Sequence, residues 1–137
     1  MNSSTANPIA GLISLDSERS VEEVVARLKQ MMGTRSLRIF ADLDFSADAA
    51  ADGLQLRPTR MLIAGNPKAG TPLIEAAPTS AIDLPLKVLI WSDTDGRTHV
   101  AYNDPQYLER RHGLSAQLIR NIAGLGALVE TAAGAAP

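Results

Sequence analysis

Cysteine is absent from this chain, which removes disulfide staples, a thiolate nucleophile and thiolate-held zinc or iron–sulfur centres together. No run approaches the ~20 apolar residues of a membrane-spanning helix. The start, MNSSTANPIAGLIS, has neither a basic leader nor an apolar stretch of signal length. The expectation is a soluble, cytoplasmic protein with no membrane association. Charge of one sign is missing as well: 13 basic against 15 acidic residues leave a formal net charge of -2, so no broad field favours nucleic acid. One Trp and two Tyr are too few to form a stacking platform for single strands. His99 and His112 are the only histidines, and they lack the spacing of a helical metal site. Neither a metal nor a cofactor is expected. There is no G-x-S-x-G elbow and no nucleophile marked by a base at a recognisable spacing. The carboxylate pairs Asp42/Asp44 and Asp93/Asp95 read as solvated groups on strands and turns.

What is present describes one domain. At 137 residues the chain is long enough to bury a core without staples. Residues 1–8 are small and polar and read as a flexible segment, 9–130 as a single domain, and 131–137 as a flexible tail. Ile9 to Leu15 has strand character. Ser20 and Glu23 form a capping box, and Val21, Val24, Val25, Leu28 and Met32 fall on one helical stripe that Gly33 can end. Leu37, Ile39, Ala41 and Leu43 alternate as one face of a second strand. Ser46 to Asp52 suggests a short helix closed by Gly53. Met61 to Ala64 belongs to a central strand.

Leu86 to Asp93 and Arg97 to Asn103 flank Asp95-Gly96, the signature of a two-residue hairpin turn. That register sets Trp91 opposite Val100 and Leu89 opposite Tyr102 on one face, with Ile90, His99 and Ala101 on the other. Asp104 and Pro105 open a helix that stops near Gly113. After Ser115 a last helix carries Leu118, Ile119, Ile122, Leu125, Leu128 and Val129. Gly124 and Gly126 weaken it or mark close packing. A tight hairpin excludes a wholly parallel sheet, so the expected fold is α+β: a mixed, mainly antiparallel sheet with helices packed on one face. A second subunit is a natural cover for an apolar second face.

The functional signal lies in RMLIAGNPKAGTPLIEAA, Arg60 to Ala77, where a buried-strand pattern enters a turn rich in Gly and Pro and then a helix. With Thr71 as N-cap and Pro72 at the first helical position, the amides beyond Thr71 face outward, and Lys68 adds charge. This is an anion cradle in principle. It is no Walker loop, because Lys68 precedes the second glycine and Pro72 removes an amide. Asp83, Lys87, Tyr102 and Asn103 sit at strand ends from which they can join Gly65, Asn66, Lys68, Gly70 and Thr71 around one cleft. The plain alternatives are turn closure, capping and a solvated lysine.

The strings GNPKAGTP, DLPLK and YNDP, within Leu12 to Leu114, resemble the bacterial family catalogued as domain of unknown function 302. The resemblance implies a small α+β protein, seen as a homodimer, with no established activity. It also implies a shared polar cluster: Asn66, Pro67, Gly70 and Thr71; Asp83, Pro85 and Lys87; Tyr102, Asn103 and Pro105. Where many relatives carry His in an I-D-H-like string, this chain reads Leu43-Asp44-Phe45, which counts against chemistry needing that imidazole. The favoured expectation is therefore a non-catalytic homodimeric domain that binds or senses a small anionic or polar ligand, with no catalytic residue assigned. The rivals are an enzyme using Asp83, Lys87 and Tyr102 in the same cleft, and a structural or protein-interaction module.

Overall fold

The structure, a computed structural model, describes residues 9–134. The segment 1–8 and the last residues of the expected tail, 135–137, lie outside the described residues. Five strands, β1 (Leu12–Ser17), β2 (Arg38–Asp44), β3 (Thr59–Gly65), β4 (Leu86–Ser92) and β5 (Thr98–Asn103), form one sheet in the order β1-β5-β4-β3-β2. Every neighbouring pair is antiparallel. The fold is α+β, and of the two kinds of pairing expected only the antiparallel one occurs. Helices α1 (Val21–Thr34), α2 (Phe45–Ala51), α3 (Pro67–Ala76), α4 (Pro105–His112), α5 (Ala116–Ile119) and α6 (Leu125–Ala133) connect and cover it.

Helix α1 starts where its capping box places it, with Ser20 Oγ accepting from the Glu23 amide and the Glu23 carboxylate accepting from the Ser20 amide. Its stripe, Val21, Val24, Val25, Leu28 and Met32, is buried. Each such side chain contributes about 1.5–3 kcal/mol of hydrophobic stabilisation. The stripe meets Leu62, Ala64, Val88, Ile90, Val100 and Tyr102 from the sheet, together with Leu128 and Val129 from α6. Arg60 also reaches this side, pairing with Glu22 of α1 and with Asp42. The Asp42 carboxyl is held below its ordinary range by Lys29 and then by Arg60, so it is an engaged group. Gly33 does not end the helix. It runs to Thr34, and Leu37 N closes it by donating to Met32 O, with Ser36 in the left-handed region at φ 59°. That position usually belongs to glycine.

Two departures in register reshape the sheet's faces. In β2 the partner of Ile39 is Ala64, but the partner of Ala41 is Ile63. Phe40 is thus an extra residue, a β-bulge, and it reverses the parity of everything after it. Leu37 and Ile39 join the main core, whereas Ala41 and Leu43 lie opposite Ile63 and Met61 on the other face. They do not share the single face expected from their alternation.

The hairpin is shifted by one residue as well, with Trp91 opposite His99, Ile90 opposite Val100, Leu89 opposite Ala101 and Val88 opposite Tyr102. Asp93 is the cause. Its carboxylate accepts from the Asp95 and Arg97 amides, and its own amide donates to Arg97 O. This closes a three-residue loop with Gly96 at φ 80° in place of a two-residue turn.

The last helix of the sequence reading is two helices. α5 gives way to a 3-10 turn, Arg120–Ile122, before α6 begins. Ile119 and Ile122 belong to a second core with Leu73, Leu108 and Leu114, while Leu125, Leu128 and Val129 belong to the main one. A single straight helix does not serve both cores, and the chain breaks at Gly124, where helix propensity is low. The domain also extends beyond residue 130: α6 runs to Ala133 and buries Ala132 and Ala133, so the expected tail begins too early.

Candidate functional site

The Gly65 turn enters its helix earlier than expected. Helix α3 starts at Pro67 with Asn66 as N-cap, because Asn is the stronger cap and Asn66-Pro67 offers the same Pro-first start as Thr71-Pro72. Thr71 and Pro72 therefore lie inside the helix. The Lys68 amide donates to Asn66 Oδ1 at 2.9 Å, and the Ala69 and Gly70 amides both donate to Asn66 O at 2.9 Å. Pro67 has no amide hydrogen. The outward donors that defined an anion cradle are engaged within the protein, so that cradle does not exist.

What stands on the turn instead is a cleft of about 420 Å³, within the usual range for small-molecule sites. Its wall includes Gly65, Asn66, Gly70 and Thr71 from the predicted set, with Phe40 from the β2 bulge, Ile74 from α3, Leu84, Pro85 and Leu86 before and in β4, and Asn121 and Ile122 from the 3-10 turn. Phe40 and Ile74 are 46% and 37% exposed. Arg35 is its one charged lining residue. Pro85 lies close under Gly65, where an added Cβ would sit 3.2 Å from the Pro85 Cβ. A deeper crevice of about 220 Å³ is lined by Met32, Ala64, Val88, Leu125 and Leu128 and shares Arg35, Leu37, Leu86, Asn121 and Ile122 with the cleft.

The other predicted residues are elsewhere. Lys68 is exposed on α3 and does not line the cleft. Lys87 pairs with Ile63 on the sheet face away from Tyr102, and its Nζ donates to Pro85 O. Tyr102 is 7% exposed inside the main core; burial first, and then the charges of Glu130 and Asp104, raise its pKa. Asn103 ends β5 opposite Leu12, and Asp104 caps α4 through the Gln106 amide. Asp83 ties the 3-10 turn Pro78–Asp83 to the end of α4, 2.6 Å from His112 Nε2 and 3.1 Å from Arg111 Nη1. The structure thus does not bring Asp83, Lys87 and Tyr102 together in this cleft.

Two histidine clusters were not legible from spacing. Thr79 Oγ1 lies 2.9 Å from His112 Nδ1, so Thr79, His112 and Asp83 form a hydroxyl–imidazole–carboxylate chain. It has the connectivity of a hydrolase relay, yet the crevice beside it is too narrow to hold a water molecule and the Ser80 amide is bonded to Ala77 O. The arrangement is a tie between elements. At the far end of the sheet, His99 is 7% exposed, stacked on Trp91 with ring centroids 5.2 Å apart. Its Nδ1 lies 2.9 Å from Asp16 and its Nε2 2.7 Å from Asp93. The His99 hydrogen bond is the largest cause that lowers the Asp93 carboxyl to about 2, so Asp93 is a fixed partner and not a solvated turn residue. Among the described residues no group of three or more His, Asp or Glu side chains is arranged to hold a metal ion.

The signal that could have exposed the cleft is weak. Phe40 breaks the alternation of β2 only if a bulge is assumed, and Arg35 and Asn121 approach from opposite parts of the chain.

Comparison with known proteins agrees with this architecture. The solved structure titled "Crystal structure of uncharacterized conserved protein DUF302 from Bacillus stearothermophilus" superposes with a TM-score of 0.74 at 15% identity, covering 91% of this chain and 97% of that one; at that identity the likeness is one of fold. Two curated relatives are 35% identical over 129 residues, 91% of this chain: "Fluoride-specific ion channel FluC 1" of Brucella suis biovar 1 and "Fluoride-specific ion channel FluC 2" of Brucella melitensis biotype 1. The chain spans about half the length of these relatives, 51% and 48%. No helix among the described residues is long and apolar enough to cross a membrane. The family described as "Domain of unknown function DUF302" matches residues 13–131, most of the chain, and this chain belongs to it.

Proposed function

We propose that the chain is a non-catalytic binding or sensing domain, working as a homodimer, that takes a small anionic or polar ligand with an apolar body into the cleft on the Gly65–Thr71 segment. The observation that carries this reading is the open volume of about 420 Å³ beside Arg35, with no carboxylate on its wall. Fluoride suits the cleft poorly, since a small, strongly hydrated anion needs converging N–H donors and those of the turn are engaged.

The test is a ligand screen by thermal shift and by amide chemical-shift mapping on the wild type and Ala81→Trp. Ala81 is exposed and lines the cleft, so the indole fills the space at little cost to folding. Expected are shifts at Phe40, Gly70 and Ile74 that Ala81→Trp abolishes; a screen in which no compound perturbs these residues removes the reading. For the homodimer, the sheet face with Met61, Ile63, Leu89 and Trp91 is the natural seam, none of the four being fully buried. Leu89→Glu is expected to halve the mass measured by light scattering. A wild-type monomer under the same conditions overturns the dimer.

A further inference from the structure

Resting on that reading of the cleft, the geometry points to a ligand class: we infer that the site takes a monocarboxylate with a hydrocarbon tail, its head at Arg35 and its tail in the inner crevice. Among the described residues neither cavity has an acidic residue on its wall, and Arg35 is the single charged residue common to both. Among the other basic residues, Arg19, Lys29, Arg60, Arg97 and Arg111 are paired with carboxylates, and Arg38 lies over the Phe40 ring. Among the described residues no ion pair or side-chain hydrogen bond engages Arg35. One guanidinium matches one negative charge, and its planar fork can donate to both oxygens of a carboxylate. A doubly charged phosphate ester would call for further cations that the wall does not have.

The inner crevice supplies the tail's environment. Met32, Leu37, Ala64, Leu86, Val88, Leu125 and Leu128 give it an apolar lining, and it meets the cleft at Arg35 and Asn121. The turn that presents Arg35 is itself unusual. Ser36 holds a left-handed φ of 59° where glycine is the ordinary residue, a conformation that persists where the surroundings fix it. Leu37 N, bonded to Met32 O, folds the chain back so that Arg35 and Leu37 flank both cavities on either side of Ser36.

The experiment compares butyrate, octanoate and octanol as probes, by chemical-shift titration on wild type, Arg35→Gln and Ala81→Trp. For wild type, octanoate should bind about five-fold more tightly than octanol. Affinity should rise by about three-fold or more per added methylene between butyrate and octanoate. Arg35→Gln should abolish the preference for octanoate over octanol while leaving octanol binding unchanged, and Ala81→Trp should weaken both. Equal binding of octanoate and octanol, or a preference that survives Arg35→Gln, overturns the ligand class and leaves the cleft reading standing. If neither probe shifts Phe40 or Ile74 and the wider screen is also silent, the cleft reading itself falls. If butyrate equals octanoate, the inner crevice takes no tail and the inference is wrong.

Discussion

The Asp83 cluster and the Gly65 cleft lie within one end of the same molecule and treat polar groups in opposite ways. Around Asp83 the charged and imidazole groups are met by the protein: His112 and Arg111 close on Asp83 and Thr79 on His112, and the adjacent crevice is shut even to water, although the buried Ser80 hydroxyl beside it has no hydrogen-bond partner. Around Gly65 the wall is mostly apolar, but the volume is open and one guanidinium is uncommitted. Density of polar residues is therefore a poor guide to a site. A group that has already found its partner inside the fold has little left to offer a ligand, and unsatisfied capacity is what marks a place where one can bind.

The largest effect that can break this contrast comes from the closed side. His112→Ala leaves Asp83 half paired at a partly buried position, and leaving such a group without its partner costs up to about 3 kcal/mol. Urea unfolding should show that loss, with octanoate binding in the cleft unchanged. A loss below about 0.5 kcal/mol would mean that the cluster is not a tie, and a parallel loss of binding would join the two regions into one site.

Next in size is a pair of identical substitutions with opposite signs. At Gly126 an added Cβ would sit 2.6 Å from the Tyr102 hydroxyl oxygen. Tyr102 is packed in the core, so Gly126→Ala is expected to cost about 2 kcal/mol in spite of its better helix propensity. At Gly70, inside α3 on the cleft wall, the nearest atom is Leu84 Cδ1 at 3.9 Å, an ordinary contact. Gly70→Ala should stabilise by about 0.7 kcal/mol through helix propensity alone. Thermal unfolding of both variants reads the signs. If both destabilise, the cleft side is as tightly closed as the core and the comparison fails.

These differences also explain which parts were legible in the sequence. The capping box of α1, its stripe of Val and Leu, and the Asp104-Pro105 start of α4 are local, and local hydrogen bonds decide them. The register of β2 and of the hairpin was not legible, because a single bulged residue, Phe40, and a single carboxylate, Asp93, each shift the pairing by one and reverse which face a side chain occupies. The start of α3 is not legible for a related reason: the cap-plus-proline pairs Asn66-Pro67 and Thr71-Pro72 compete within seven residues, and the stronger cap wins. Of the candidate site, Gly65, Asn66, Gly70 and Thr71 line the cleft, whereas Lys68 between them and the residues drawn from later segments do not. Arg35, the residue that gives the cleft its charge, comes from a helix end that carries no chemical signature of its own.

The smallest effect concerns acid, and it sharpens the comparison at the other end of the sheet. The Asp93 carboxyl is lowered from 3.8 to about 2, first by the His99 hydrogen bond and then by the Arg97 amide. Because the folded value lies below the unfolded one, ionised Asp93 favours the folded state at any pH above the ordinary carboxylate range, and that contribution disappears as the pH falls through about 2. The stability difference between wild type and Asp93→Asn should therefore stay constant from neutral pH down to the ordinary carboxylate value and then shrink towards zero. Asp42 and Asp44 are also held low, but both proteins carry them, so they cancel in the difference. A difference that stays flat through this window would mean that the His99 cluster is held by packing against Trp91 and not by charge. Arg35→Gln at the cleft should show no such dependence in the absence of ligand, since no carboxylate lines that wall, and any acid sensitivity of octanoate binding there should follow the protonation of the octanoate itself.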